Sequence, residues 1–140
     1  MAAACAGTGP LESLLNNSKA TNLGFVQPSN LPRLMRSATC FVLPSAFEPW
    51  GVVLHEAAAS GLPLICSEAC GAGHHLLQHG KNGYLVPAGD SRKLADAMHL
   101  VEMKSAAERT QMAKTSYTLS RQYTPEKWAD TLKKGIQALQ

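Results

Sequence analysis

Cys40, Phe41, Val42 and Leu43 form an uninterrupted apolar run that stops at Pro44. A strand with one face in water alternates apolar and polar residues. A strand without alternation is covered on both faces, as in a parallel sheet held between two layers of helices. Leu64, Ile65 and Cys66 repeat the pattern, and so does the run from Gly83 through Tyr84, Leu85 and Val86 to Pro87. Amphipathic stretches separate these runs, so the chain reads strand, helix, strand with short connections. That order specifies an α/β fold: a Rossmann-like parallel sheet with right-handed crossovers, flanked by helices.

The same pattern predicts the remaining elements. Residues 2–6 read as a strand entering the turn at Gly7, Thr8 and Gly9. Residues 10–20 read as a helix with Pro10 in its first turn, and residues 22–26 as a second strand. Residues 30–38 form a helix capped by Asn30, with Leu31, Leu34 and Met35 on one face. Residues 52–60 form a helix stopped by Gly61, and residues 73–79 a short one ended by Gly80. Asp90 caps a helix carrying Leu94, Met98 and Val101 on one side. Residues 106–123 continue as a helix. Thr124 and Pro125 open a closing helix to residue 140, with an apolar stripe of Trp128, Leu132, Ile136 and Leu139.

Composition narrows the function classes. The 140 residues are 45% apolar and 16% charged, enough for one domain with its own core. A net charge of +3, with scattered basic residues, leaves no electrostatic footprint for nucleic acid. No apolar run approaches membrane-spanning length, and the opening residues lack the basic region of a secretory signal. The four cysteines, Cys5, Cys40, Cys66 and Cys70, contain no Cys-x-x-Cys pair and read as reduced thiols of a cytoplasmic protein.

Open parallel sheets bind ligands beyond the carboxyl ends of their strands. There Pro44 leads through Ser45, Ala46 and Phe47 to Glu48, Pro49, Trp50 and Gly51, and then to a helix carrying Glu56. Gly51 lets a ligand approach the backbone closely. The free N–H groups of Trp50, Gly51, Val52 and Val53 point out of the positive end of a helix, a place for phosphate or hydroxyl oxygens. Glu48 and Glu56 flank that spot, and a carboxylate is a good acceptor for two vicinal hydroxyls. Two carboxylates with anion-seeking amides between them suit a ligand with two diols and a diphosphate, such as a nucleotide sugar.

Glu48 and Glu56 with seven residues between them, Pro-Trp-Gly after the first and Glu-Ala-Ala-Ala-Ser-Gly-Leu-Pro around the second, resemble the signature of family-four retaining glycosyltransferases. These enzymes have the GT-B fold, two Rossmann-like domains with the active site between them. The likeness to the C-terminal, donor-binding domain covers nearly the whole chain. Gly7, Thr8, Gly9, Pro10 and Leu11 are similar to the family's Gly-x-Gly-Pro-Leu turn. Residues 23–26 resemble the strand whose end approaches the nucleobase, residues 80–86 the Gly-x-Asn-Gly-x-Leu-Val element, and residues 123–128 the start of the closing helix.

The resemblance implies that Glu48 lies against the donor sugar as a positioning and electrostatic residue of the catalytic centre. Pro49, Trp50, Gly51, Val52 and Val53 would contact donor hydroxyls and phosphate, and Glu56 would bind the ribose diol. The loop at Gly71, Ala72 and Gly73 would approach the donor, with Val26 and Gln27 near the nucleobase. Leaving and attacking groups would share one face of the sugar, through an oxocarbenium-like transition state with the diphosphate assisting deprotonation of the acceptor. The substrate is then a nucleotide-diphosphate sugar, with no cofactor or metal. A role in surface-polysaccharide synthesis, and peripheral association of a full-length enzyme with the inner face of a membrane, follow by analogy.

The chain departs from the family in two places. His75 falls where an acidic residue is common. The expected N-terminal acceptor domain is missing, as is the opening strand of the C-terminal domain, whose following loop carries an Arg and a Lys for the diphosphate. Residues 1–140 are therefore expected to be a donor-binding domain truncated at its first strand. Such a chain would be inactive alone, would bind donor weakly and could self-associate through the stripe of its last helix.

Other constellations carry less. Cys66, Cys70, His74 and His75 do not have the spacing of a common zinc site. A dinucleotide fingerprint beginning at Gly7 fails, because its third glycine falls at Glu12. His55 neighbours Glu56 but points elsewhere on the helix and reads as structural. A nucleotide-sugar-binding module without transferase activity and a nucleotide-sugar epimerase would share the architecture, but the Glu48–Glu56 segment favours a transferase. A purely structural module would have no use for glycine-rich loops facing a ligand.

Overall fold

The computed structural model describes residues 2–139. Met1 and Gln140, the ends of the expected domain, lie outside them. Strands β3 (Phe41–Leu43), β4 (Leu64–Ser67) and β5 (Gly83–Val86) form a parallel sheet, in register as Phe41 to Leu64 to Gly83. Every residue of β4 is buried. Successive side chains go to opposite faces. Leu64 and Cys66 join Phe41, Leu43 and Leu85 on one side, under α1 (Leu31–Ser37), α2 (Val52–Ala59) and α3 (Gly73–Leu76). Ile65 joins Cys40, Val42, Tyr84 and Val86 on the other, against Leu94, Ala97, Met98 and Val101 of α4 (Ser91–Met103). Both faces are covered, which is why these strands show no alternation. Burying a Leu64 or an Ile65 contributes about 1.5–3 kcal/mol each.

The helices start where their caps dictate. The Lys93 N–H donates to Asp90 Oδ1 at 2.9 Å. Helix α5 (Ala106–Ser120) opens on a capping box: Ser105 Oγ accepts from the Glu108 N–H, and Glu108 Oε2 accepts from the Ser105 N–H. Helix α6 (Pro125–Gln137) starts after Thr124, whose hydroxyl accepts from the Lys127 N–H. Asn30 stands at the start of α1, but its side chain makes no capping bond there.

The first thirty residues depart most from expectation. Residues 10–20 hold a 3-10 helix at Glu12–Asn17 rather than an α-helix. Leu11 and Leu14 are exposed, so neither packs a face that would support a longer helix here. Strands β1 (Ala4–Cys5) and β2 (Thr21–Asn22) are two residues each and, among the described residues, pair in parallel only with one another. The expected strand at residues 22–26 ends early because Gly24, at φ +58°, turns the chain, and its carbonyl receives the Gly7 N–H. The sheet is thus divided in two. Among the described residues no strand pairs with the outer edge of β3, and Phe41, Val42 and Leu43 are only half-buried.

Two helices are shorter than expected. Helix α3 stops at Leu76. Helix α5 stops at Ser120 and unwinds in turns, the Gln122 and Tyr123 N–H groups donating to the Leu119 and Ser120 carbonyls, before Thr124 takes the extended conformation that a following proline favours. Helix α6 buries none of its residues, and Trp128, Leu132, Ile136 and Leu139 are all exposed.

Candidate donor site

Residues 44–51 leave the carboxyl end of β3 and run beside residues 69–72, which leave β4. The two loops are tied together along their length. The Glu48 N–H donates to the Ala69 carbonyl (3.1 Å) and the Gly71 N–H to the Glu48 carbonyl (3.0 Å). The Ala72 N–H donates to the Trp50 carbonyl at 2.7 Å. That same carbonyl accepts from Cys70 Sγ at 3.3 Å. Glycine is required at this seam: a Cβ on Gly71 would lie 2.2 Å from the Pro49 carbonyl oxygen.

Gly51 sits at the start of α2 with φ +95°, a conformation that L side chains rarely adopt, and Cys70 Sγ would lie 2.8 Å from a Cβ there. Cys66 Sγ lies in the same way beneath Gly73. Both thiols are fully buried, and burial, reinforced by the neighbouring Cys70, pushes the Cys66 thiol up to about 12. They act as packing beneath the loops. His74 and His75 are exposed and stand apart from them. Among the described residues, no three His, Cys, Asp or Glu side chains group so as to hold a metal ion.

Among the described residues, no protein acceptor receives the N–H groups of Trp50, Gly51, Val52 or Val53. The first inward bond of α2 runs from the Leu54 N–H to the Gly51 carbonyl. Pro49 and Val52 are exposed, Val53 is half-buried, and Glu48 is half-buried with its Cγ against Gly51. Glu56 is exposed about 6 Å further along the helix. It lines a groove of about 250 Å³ with Pro28, Leu31, Pro32, Met35, Ala59 and Ser60. Val26 and Gln27 immediately precede Pro28. Four outward N–H groups at a helix start therefore stand between one carboxylate on the β3 loop and a second that lines a groove.

Gly71, Ala72 and Gly73 have a structural part beside any contact with a ligand. Their N–H groups donate to the Glu48, Trp50 and Cys70 carbonyls, so this loop also holds residues 48–50 in place. His55 Nε2 lies 3.0 Å from the Ser120 carbonyl and ties α2 to the end of α5, as a structural residue does.

These positions match a known sequence family over most of the chain. Residues 10–119 fit the model for "Glycosyl transferases group 1". The chain belongs to the group 1 glycosyltransferases. It is 43% identical over 77 residues to a phosphatidyl-myo-inositol mannosyltransferase of Mycobacterium leprae, covering 54% of this chain and 20% of that protein. It is 33% identical over 141 residues to the sulfoquinovosyl transferase SQD2 of Arabidopsis thaliana, covering 87% of this chain and 28% of that one. In structure it is similar to Anabaena Alr3699/HepE in complex with UDP-glucose, with a TM-score of 0.77, 24% identity and coverage of 95% of this chain and 41% of that one. Sucrose-phosphate synthase from Thermosynechococcus elongatus superposes with a TM-score of 0.82 at 24% identity, over 97% of this chain and 38% of that one. The fold is that of a domain of a GT-B glycosyltransferase. The chain spans about a fifth to two fifths of the length of these proteins.

Three features escaped the sequence reading. Asn82 is fully buried: its Oδ1 accepts from the Gln78 N–H, and its Nδ2 donates to the Leu76 carbonyl and Ser116 Oγ. It is the reason for the Asn of the Gly-x-Asn-Gly element, which sequence alone shows only as a turn. The amide bonding of the 71–73 loop gave no sequence signal. The third is a contact among Trp50, His75 and Tyr123, taken up below. Among the described residues, no helix is long and apolar enough to cross a membrane.

Proposed function

We propose that this chain is the donor-binding half of a retaining glycosyltransferase, which transfers a sugar from a nucleotide-diphosphate sugar to a glycan or lipid acceptor. The observation that carries this reading is the set of outward N–H groups from Trp50 to Val53, placed between Glu48 and Glu56. The diphosphate and the sugar hydroxyls would take these donors, at the positive end of α2. Glu48 would lie against the sugar ring, where charge develops at the anomeric carbon. Glu56 would accept the ribose diol at the groove, with the base toward Val26 and Gln27. UDP-glucose bound to the similar Anabaena Alr3699/HepE supports a donor of this class.

The N-terminal acceptor domain is taken to be the chain's missing partner, and the isolated chain to be inactive and a weak donor binder. The unpaired edge of β3 and the division of the sheet support the view that a further strand completes it. The proposed chemistry requires no metal or cofactor beyond the nucleotide-diphosphate sugar, and the proposed location is the cytoplasm.

A panel of nucleotides and nucleotide sugars, including UDP and UDP-glucose, titrated against the chain with amide-shift mapping tests the reading. Shifts clustered at residues 48–56, weakened by Glu56→Ala, are expected. Shifts clustered elsewhere, or saturation unaffected by Glu56→Ala, would overturn it. A flat response would be followed by the same titration on a chain extended upstream by the missing strand and its Arg/Lys loop, where continued silence also overturns it.

A further inference from the structure

Three rings from three elements meet beside the loop that carries Glu48 and Trp50. The Trp50 ring comes from the loop before α2, the His75 ring from α3, and the Tyr123 ring from the turn joining α5 to α6. The centroids of Trp50 and His75 are 5.4 Å apart, those of His75 and Tyr123 5.6 Å, and those of Trp50 and Tyr123 6.5 Å. Both pairs involving Tyr123 are edge-on at 69°, the arrangement aromatic quadrupoles favour. The Tyr123 hydroxyl lies 3.4 Å from His75 Nδ1.

This cluster is not part of the core. Trp50 remains 38% exposed and Tyr123 37%, and His75 is exposed as well. Burial therefore does not account for three rings meeting here, and the connection of Trp50 suggests what does. On its backbone side, Trp50 is held through its carbonyl by the Ala72 N–H and Cys70 Sγ. On its side-chain side it is held by His75 and Tyr123. The residue so clamped carries the first of the four outward N–H groups, two positions after Glu48. Its position sets theirs.

Tyr123 is also the last residue before Thr124, the cap of α6. Helix α6 has no fully buried residue, and Tyr123 is where it meets the loop that carries Trp50.

We propose that Tyr123 is a positioning residue of the donor site: through His75 and the Trp50 ring, it fixes residues 48–53 in the geometry that presents their N–H groups to ligand. The proposal rests on the donor-site reading for its consequence in binding, but its structural claim is measurable without ligand.

The test compares Tyr123→Ala and Tyr123→Phe, with Tyr117→Ala, an exposed tyrosine of α5 outside the cluster, as control. Amide spectra of the ligand-free variants come first. Tyr123→Ala is expected to move the amide resonances of Trp50, Gly51, Val52 and Val53 and leave that of Asn82 in place. Tyr123→Phe, which keeps the ring, is expected to restore them, and Tyr117→Ala to leave them untouched. UDP-glucose titration follows, where Tyr123→Ala should weaken binding about three- to tenfold, the worth of an aromatic pair, with Phe within about twofold of the parent. Unmoved Trp50–Val53 amides in Tyr123→Ala would overturn the proposal, as would a uniform shift across the whole domain that marks a general loss of structure. If the amides move but neither the parent nor Glu56→Ala responds to UDP-glucose, the positioning stands, and the donor reading is decided by the same titration on the upstream-extended chain, where continued silence overturns that reading alone.

Discussion

Replacing Gly71 by alanine tests the seam that holds the site. The added methyl carbon would lie 2.2 Å from the Pro49 carbonyl oxygen, whereas Cβ atoms keep at least 3.0 Å from such neighbours, so the loops must part by 0.8 Å. That displacement stretches the 3.0 Å bond from the Gly71 N–H to the Glu48 carbonyl beyond hydrogen-bonding range. Overpacking costs about 1–3 kcal/mol and a lost hydrogen bond about 0.5–1.5, so Gly71→Ala should lower stability by about 2–4 kcal/mol. Gly71 has no positive φ, so the loss reports close approach alone. Gly9→Ala is the control, with no neighbour within 4 Å and an ordinary φ, and should change stability by less than about 0.5 kcal/mol. Urea unfolding followed by circular dichroism measures both. If Gly71→Ala unfolds at the same urea concentration as Gly9→Ala, with unmoved amide resonances at Glu48 and Trp50, the loops are not held as described.

Asn82→Ala removes three hydrogen bonds from a fully buried site and strands the Leu76 carbonyl, and should cost about 2–4 kcal/mol in urea unfolding. In the native chain a thiol reagent at pH 8 should label Cys5 first and Cys40 more slowly, since burial raises the Cys40 thiol, and should spare Cys66 and Cys70 until urea unfolds the chain. Glu108 is held down to about 2 by the Ser105 N–H, with Lys104 and the Ser105 hydroxyl adding to it. Its contribution to α5 is complete above the unfolded value of 4.5 and lost as pH falls from there toward 2. Glu108→Gln should flatten that part of the acid-unfolding curve.

The part of the chain from Cys40 onward was legible because its strands are covered on both faces, and double coverage writes itself into sequence as an unbroken apolar run. The same holds for Asp90, whose place before an amphipathic stretch marks it as a cap. The first thirty residues carry no such mark. Residues 10–20 read as a helix from Pro10, but Leu11 and Leu14 stay exposed and the segment forms only a 3-10 helix. Glu48, the Trp50–Val53 backbone and Glu56 could be placed from sequence because they are consecutive on one strand, loop and helix. Asn82 reaches Ser116, and Tyr123 reaches His75, across 34 and 48 residues, and nothing local announces either contact.

The contrast between the two carboxylates follows from how each is held. Glu56 stands on an exposed face of α2 and takes its position from that helix alone. Glu48 has both its N–H and its carbonyl tied to residues 69–71, so its place depends on β4 as much as on β3. The sugar end of the proposed donor site is therefore set by two strands and the seam between them, and the nucleoside end by one helix and the groove beside it. Loosening the seam at Gly71 should then weaken UDP-glucose more than UDP, because the nucleoside contacts remain. Truncating Glu56 should weaken both alike. Equal losses for the two ligands in Gly71→Ala would mean that residues 48–50 do not meet the sugar, and would shift the role of the outward N–H groups wholly to the diphosphate.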